Sequence, residues 1–187
     1  VGGTAAAGFR GARVRAADAC GALTDPAAAL LANRLAAAGL DWIVPSWPAP
    51  ASVCALATTR RGGVSTGPRA TMNLGRDGRD VESALAENRR RLEAFLPSPP
   101  VWLDQVHGNA VAILTRDSAG LPAPVADAAV TREEGVVCAI LTADCLPVFF
   151  ADRAGTAVGI AHAGWRGLAA GVLEATIAAL RELGVRG

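Results

Sequence analysis

Apolar residues follow two rhythms along this chain, and the places where one gives way to the other predict its elements. Pro26 opens an Ala- and Leu-rich run that stops at Gly39, which predicts a helix with Asp25 as its N-cap. The sequence becomes core-like at Trp42, and residues 52–59 predict a strand running into a turn at Gly62-Gly63. Asp80 is the expected cap of a second helix, whose apolar positions Val81, Leu85, Leu92 and Phe95 keep helical spacing. Val101-Trp102-Leu103 opens a strand arriving at Gln105-Val106-His107-Gly108, and residues 110–114 continue in a β-compatible style. Residues 136–143 and 146–150 read as buried strands flanking Asp144-Cys145, and a turn at 152–155 leads into a third strand that delivers His162. Residues 168–183 then predict a helix with Val172, Leu173, Ile177 and Leu180 on one face.

These elements imply an α+β fold with mixed or antiparallel sheets. At 187 residues, 51% of them apolar and 19% charged, the chain is long enough for one packed domain. Residues 1–40 carry few bulky apolar side chains and are expected to form a loosely attached, flexible extension, with the domain proper at 41–187.

A net charge of +1 without long basic runs gives no electrostatic reason to expect nucleic acid or an anionic membrane as partner, which favours small molecules. The longest apolar stretch, residues 136–151, is interrupted by Asp144 and Pro147 and falls short of the roughly 20 residues of a spanning helix. The first residues do not read as a secretory signal, so a cytoplasmic setting is expected. Cys20, Cys54, Cys138 and Cys145 form no disulfide framework and are expected to be reduced, Cys138 as inert core.

The chain contains two histidines, His107 and His162, each at the end of an apolar, strand-like segment beside a glycine or another small residue. With Cys145 they make a candidate zinc set, because imidazole and thiolate are good zinc ligands and three of them leave one tetrahedral position open. The separations of 38 and 17 residues are not those of a zinc finger, so spacing alone favours two core histidines and a buried thiol.

The flanking residues carry more. Leu141-Thr142-Ala143-Asp144-Cys145-Leu146-Pro147-Val148 and Ala161-His162-Ala163-Gly164-Trp165-Arg166-Gly167 closely resemble the two signature stretches of the YfiH-like, or laccase-domain, purine nucleoside phosphorylases. Ile43-Val44-Pro45-Ser46-Trp47-Pro48, Thr59-Arg60-Arg61-Gly62-Gly63-Val64-Ser65, Asn73-Leu74-Gly75 and Trp102-Leu103-Asp104-Gln105-Val106-His107-Gly108 are similar to further segments in the same order. The resemblance spans about residues 42–183 and implies a layered α/β/β/α sandwich with His107, Cys145 and His162 as zinc ligands. The family pattern continues past the last helix, so the chain is expected to lack a C-terminal part.

The resemblance implies phosphorolysis of adenosine, inosine and methylthioadenosine to base and ribose 1-phosphate, with adenosine deamination as a companion, a transferase and a hydrolase in one site. For deamination, a metal that acidifies its bound water suits attack at purine C6, with Asp144 beside Cys145 as the candidate proton carrier. Arg60 is a candidate phosphate clamp or an ordinary surface arginine, and Arg166 presents the same choice near a helix N-terminus. Asn73 and Gln105 are candidates to contact ribose or base, or to tie strand ends to loops. Trp165 either covers a purine face or, as the favoured reading, packs beneath the last helix.

Three other readings remain at this stage. Two histidines and a cysteine are also a blue-copper set, which fits a laccase-like polyphenol oxidase, but a multicopper enzyme needs many more imidazoles and copper bound here would be adventitious. Cys145 with a histidine base would make a metal-free hydrolase. The third is an inactive zinc-binding fragment. A monomer acting on nucleoside and phosphate is the expectation carried forward.

Overall fold

The computed structural model describes residues 4–10, 26–76 and 78–185. In chain order the elements are β1 (Thr4–Arg10), α1 (Pro26–Ala37), β2 (Val53–Ala57), α2 (Glu82–Glu93), β3 (Val111–Ile113), β4 (Ala128–Thr131), β5 (Val137–Thr142), β6 (Leu146–Ala151), β7 (Val158–Ala163), α3 (Trp165–Ala169) and α4 (Val172–Glu182). They make two sheets and four helices: an antiparallel sheet ordered β2-β1-β5, and a mixed sheet ordered β3-β4-β7-β6 in which only the β3/β4 pair is parallel.

The sheets pack face to face on Ala6, Cys138, Ile140, Ala129 and Ile160, all buried, with Leu103 and Leu114 closing the seam. On the outer face of the three-stranded sheet lie α1 and α2, whose Leu31, Leu35 and Leu92 join Ala5, Leu56 and Trp42. On the outer face of the mixed sheet lies α4, burying Val172, Thr176, Ala179 and Leu180 over β3, β4 and β7. The result is the layered α/β/β/α sandwich. Burying one sheet face and one helix stripe against each other at each interface is what makes four layers stable.

Several expectations give way. The first 40 residues are no loose extension where they are described. Thr4–Arg10 is the middle strand of its sheet, hydrogen-bonded to β2 on one side and β5 on the other. Its Ala5, Ala6 and Ala7 are at most 3% exposed, so small side chains here serve a strand covered on both faces. The Asp25 cap and Cys20 lie outside the described residues.

Asp80 does not cap α2. Val81 holds the cap position, while Asp80 accepts hydrogen bonds from Ser65 and Asn73 at 2.7 Å each and pins the preceding loop. The segment 101–108 is no continuous strand; its backbone makes isolated bridges, Val101 with Cys138 of β5 and Asp104 with Val125. The expected last helix is two helices, broken at Gly171, whose φ of +83° suits glycine. Within α4 the buried face is Val172, Thr176, Ala179 and Leu180, and Ile177, expected on that face, is 40% exposed.

Candidate metal centre

The site is built where three turns converge at one end of the mixed sheet. β5 ends at Thr142, a tight turn presents Cys145, and β6 departs antiparallel to β7 with Leu146 opposite Ala163 and Pro147 opposite His162. Gly164 therefore lies directly across from Cys145. A Cβ on Gly164 would come 2.8 Å from the Cys145 sulfur and 3.2 Å from Cδ2 of His107, so the absence of a side chain is what lets the turns close.

His107 arrives from the 101–108 segment with φ of +61°, which a side chain of its size rarely adopts. The cause lies in Asp127. Its carboxylate accepts the backbone N–H groups of Val106 at 3.1 Å, His107 at 2.9 Å and Gly108 at 2.7 Å, so the turn wraps around an anion like a nest. The same carboxylate bonds Nδ1 of His162 at 2.8 Å, and the Asp127 carbonyl accepts the His162 backbone N–H at 2.7 Å. Buried Asp127 thus fixes both histidines. Burial opposes its charge, but the bonds from His162, Gly108, Val106 and His107 hold its carboxyl below the usual carboxylate range.

The ligand-type atoms of His107, Cys145 and His162 all lie within 4.8 Å of one another, close enough to share one metal ion. The donor set fits such an ion. Asp127 occupies Nδ1 of His162, which leaves Nε2 as the ligand atom, the arrangement found where a carboxylate orients a metal-binding histidine. His162 is buried, Cys145 half-buried and His107 exposed, so the cluster has a closed side and an open one. Without a cation, burial and then the charges of Asp144 and Asp127 push the Cys145 thiol up; a cation between the three side chains reverses that balance. His107 and His162 meet edge to face, ring centroids 4.7 Å apart.

Around the open side the surface is apolar. Val106 and Leu146 are each more than half exposed, and Trp165 is 75% exposed. The expected packing of Trp165 beneath the last helix is corrected: it is the first residue of the short helix α3, whose buried residue is Gly167, and it projects outward. Arg166 follows it, exposed, with its guanidinium 5.2 Å from the indole ring. Asp144 is exposed beside Cys145.

The other sequence-derived candidates are engaged with the fold. Asn73 is fully buried and bonded to Asp80 and Gly75, so direct contact with a ribose or base gives way to a role in holding its loop. Gln105 pairs both ends of its amide with the backbone of Leu141, at 2.9 and 2.7 Å, acting as a surrogate strand neighbour of β5. Arg60 is exposed, and its guanidinium donates to the carbonyls of Pro68 and Ala70 at 3.4 and 3.2 Å. Cys138 is fully buried and its thiol is pushed up to about 12 by desolvation, which suits a core position. Asp127 was missing from the sequence-derived set. Its one signal is a lone carboxylate inside the apolar run from Val125 to Val130, where a charge needs built-in partners.

A family model described as multi-copper polyphenol oxidoreductase laccase matches residues 54–186. The chain is 55% identical over 141 residues to a purine nucleoside phosphorylase of Pseudomonas aeruginosa, covering 74% of this chain and 56% of that one. It is 51% identical over 142 residues to purine nucleoside phosphorylase YfiH of Escherichia coli, covering 75% and 58%. Among solved structures it resembles a Neisseria meningitidis protein with a TM-score of 0.71 at 48% identity, over 75% of this chain and 57% of that one. A Bacillus licheniformis protein, also titled YfiH, superposes with a TM-score of 0.64 at 30% identity, over 70% and 53%. The chain spans little more than half the length of these relatives. Among the described residues no helix is long and apolar enough to cross a membrane.

Proposed function

The chain belongs to the laccase-domain family whose curated relatives are named purine nucleoside phosphorylases, and from that premise we propose that it serves zinc-dependent phosphorolysis of purine nucleosides, with adenosine deamination in the same site. The observation that carries this reading is the His107, Cys145 and His162 cluster held by Asp127, closed on one side and open on the other. Three nitrogen and sulfur donors suit zinc, and the open side leaves room for a substrate.

A zinc ion held by these three side chains supplies an electrophilic centre and a bound water of lowered pKa. The chain's own residues do the rest. Asp127 keeps the His162 ring in one tautomer and the His107 turn in one conformation, so the donor atoms need no rearrangement when a substrate arrives. The exposed indole of Trp165 offers a flat apolar face to a purine, and Arg166 beside it offers a cation to phosphate. In phosphorolysis a phosphate oxygen bonds to C1′ as the bond from C1′ to the purine nitrogen breaks, and the departing base takes a proton. Asp144, exposed beside Cys145, is the proposed carrier of that proton or of the one moved in deamination. Arg60 joins the proposal as a second phosphate contact, which requires its guanidinium to leave the Pro68 and Ala70 carbonyls.

The test is metal content together with phosphate-dependent release of hypoxanthine from inosine, for the chain and for Cys145→Ala prepared alike. About one zinc per chain and base release that needs phosphate, both lost in the variant, are expected. A folded chain with turnover but no metal would instead make Cys145 a nucleophile.

A further inference from the structure

A second cleft lies between α2, the segment 99–104 and the loop 118–123. It measures about 390 Å³, within the range of small-molecule sites, and none of the metal-cluster side chains lines it. Its walls include Arg76 from the loop before α2, Arg89 from α2, Pro99, Trp102 and Asp104 from the next segment, and Leu121. Arg76 and Arg89 also line an adjoining hollow of about 550 Å³, so the two guanidiniums stand between two open volumes.

The two cations are arranged for an anion. Arg89 spends Nε and Nη2 on the Leu74 carbonyl, at 3.3 and 2.8 Å, and stacks 4.4 Å from the Trp102 ring centroid, which leaves Nη1 without a hydrogen-bond acceptor among the described residues. Arg76 is exposed and engages no hydrogen-bond acceptor or carboxylate partner among the described residues. Burial first, and then the charge of Arg76, pull Arg89 down to about 10, whereas Glu93 acts weakly the other way. Two like charges held together in a partly desolvated cleft are relieved by a phosphate between them.

We propose that this cleft binds a small phosphate-bearing molecule with a flat ring, of the nucleoside monophosphate class. The guanidiniums take the phosphate, while Trp102, Pro99 and the 65%-exposed Leu121 offer apolar surface to a base. Asp104 supplies an acceptor for sugar hydroxyls, and its charge, with those of Asp80 and Glu82 in the adjoining hollow, disfavours a bare dianion without such donors. The site is separate from the metal cluster, so a nucleotide bound here would bias the enzyme from outside its reaction centre or hold a product of related chemistry.

Titration calorimetry with adenosine 5′-monophosphate, adenosine and inorganic phosphate tests this on the chain, on Cys145→Ala and on Arg76→Gln. Arg76 is exposed and makes no hydrogen bond or ion pair among the described residues, so its replacement is expected to leave the fold intact. The monophosphate is expected to bind the chain and Cys145→Ala alike, and to bind Arg76→Gln at least about tenfold more weakly, the loss expected for one charge-assisted contact. Adenosine and inorganic phosphate should each bind more weakly than the monophosphate. Binding lost in Cys145→Ala would place the nucleotide at the metal cluster and overturn the proposal; so would unchanged affinity in Arg76→Gln, or no binding at millimolar monophosphate. Because Cys145→Ala removes the proposed metal site, failure here and failure of the phosphorylase reading are read separately.

Discussion

Asp127 and His162 are joined twice, side chain to side chain at 2.8 Å and backbone to backbone at 2.7 Å, and the same Asp127 carboxylate gathers the His107 turn. A single buried anion therefore sets the position of two ligand-type side chains that lie 55 residues apart in the chain. Replacing it with Asn keeps the shape but removes the charge, and an amide cannot accept from three N–H groups and a ring nitrogen with the same strength. Asp127→Asn is expected to weaken zinc binding about 10–100-fold, as loss of such an orienting carboxylate does. Chelator competition measures this, and zinc affinity equal to that of the parent chain would remove Asp127 from the account.

Why that residue was invisible in the sequence, while its partners were not, is a matter of what each signal rests on. His107, Cys145 and His162 stand out because imidazole and thiolate are rare here and chemically specific, two histidines in the whole chain. Asp127 is one of many carboxylates, and its single mark in the sequence, an apolar surround from Val125 to Val130, says that it is buried but not what it holds. Helix α2 was legible from apolar spacing, α1 from Pro26 and the stop at Gly39, and the strands β5, β6 and β7 from apolar runs bounded by turns. β1 was not. Ala5, Ala6 and Ala7 carry no β-preference, and their place in the sheet is decided by β2 and β5 on either side rather than by anything local. Trp165 was misjudged for a related reason: bulk alone suggested packing, and the break at Gly171 that leaves α3 only five residues long is a feature of the three-dimensional path.

Gly164 offers a steric test independent of charge. Its φ of −73° and ψ of 160° are open to any residue, so Gly164→Ala creates no backbone strain. The new Cβ would nevertheless lie 2.8 Å from the Cys145 sulfur and must displace it. Zinc affinity is expected to fall by about tenfold or more, whereas overpacking costs the metal-free fold about 1–3 kcal/mol. Measuring zinc retained after gel filtration beside thermal unfolding of the metal-free protein separates the two, and full zinc retention would show that the sulfur need not sit where Gly164 admits it.

His107 combines a side chain proposed as a ligand with a backbone that favours glycine. Its φ of +61° disfavours any residue with a Cβ. His107→Gly and His107→Ala should both lose metal, yet the metal-free Gly variant should be the more stable of the two by about 1 kcal/mol. Urea denaturation of the apo proteins checks this. An Ala variant as stable as the Gly variant would mean that the turn relaxes once the imidazole is gone.

Acid should loosen the mixed sheet through Asp152, which closes the turn between β6 and β7. Its carboxylate accepts from Thr156 Oγ1 at 2.7 Å and from the Ala157 backbone at 2.8 Å. Burial works against the charged form, but the bonds from Thr156 and Ala157 prevail and hold the carboxyl below its ordinary value of 3.8. A group depressed on folding stabilises the native state fully above its unfolded pKa, and the contribution disappears as pH falls through the folded value. Stability of the metal-free chain should therefore be flat near neutrality and decline below about pH 4. Asp127 contributes to that decline with the same sign, because its carboxyl too is held low. Asp152→Asn should lose about 1–2 kcal/mol at neutral pH and show a shallower acid decline, because the neutral amide has no charge left to surrender. Thermal unfolding followed from about pH 7 to pH 3 reads both effects. Parallel profiles for the two proteins would assign the acid sensitivity to Asp127 and the other depressed carboxylates instead.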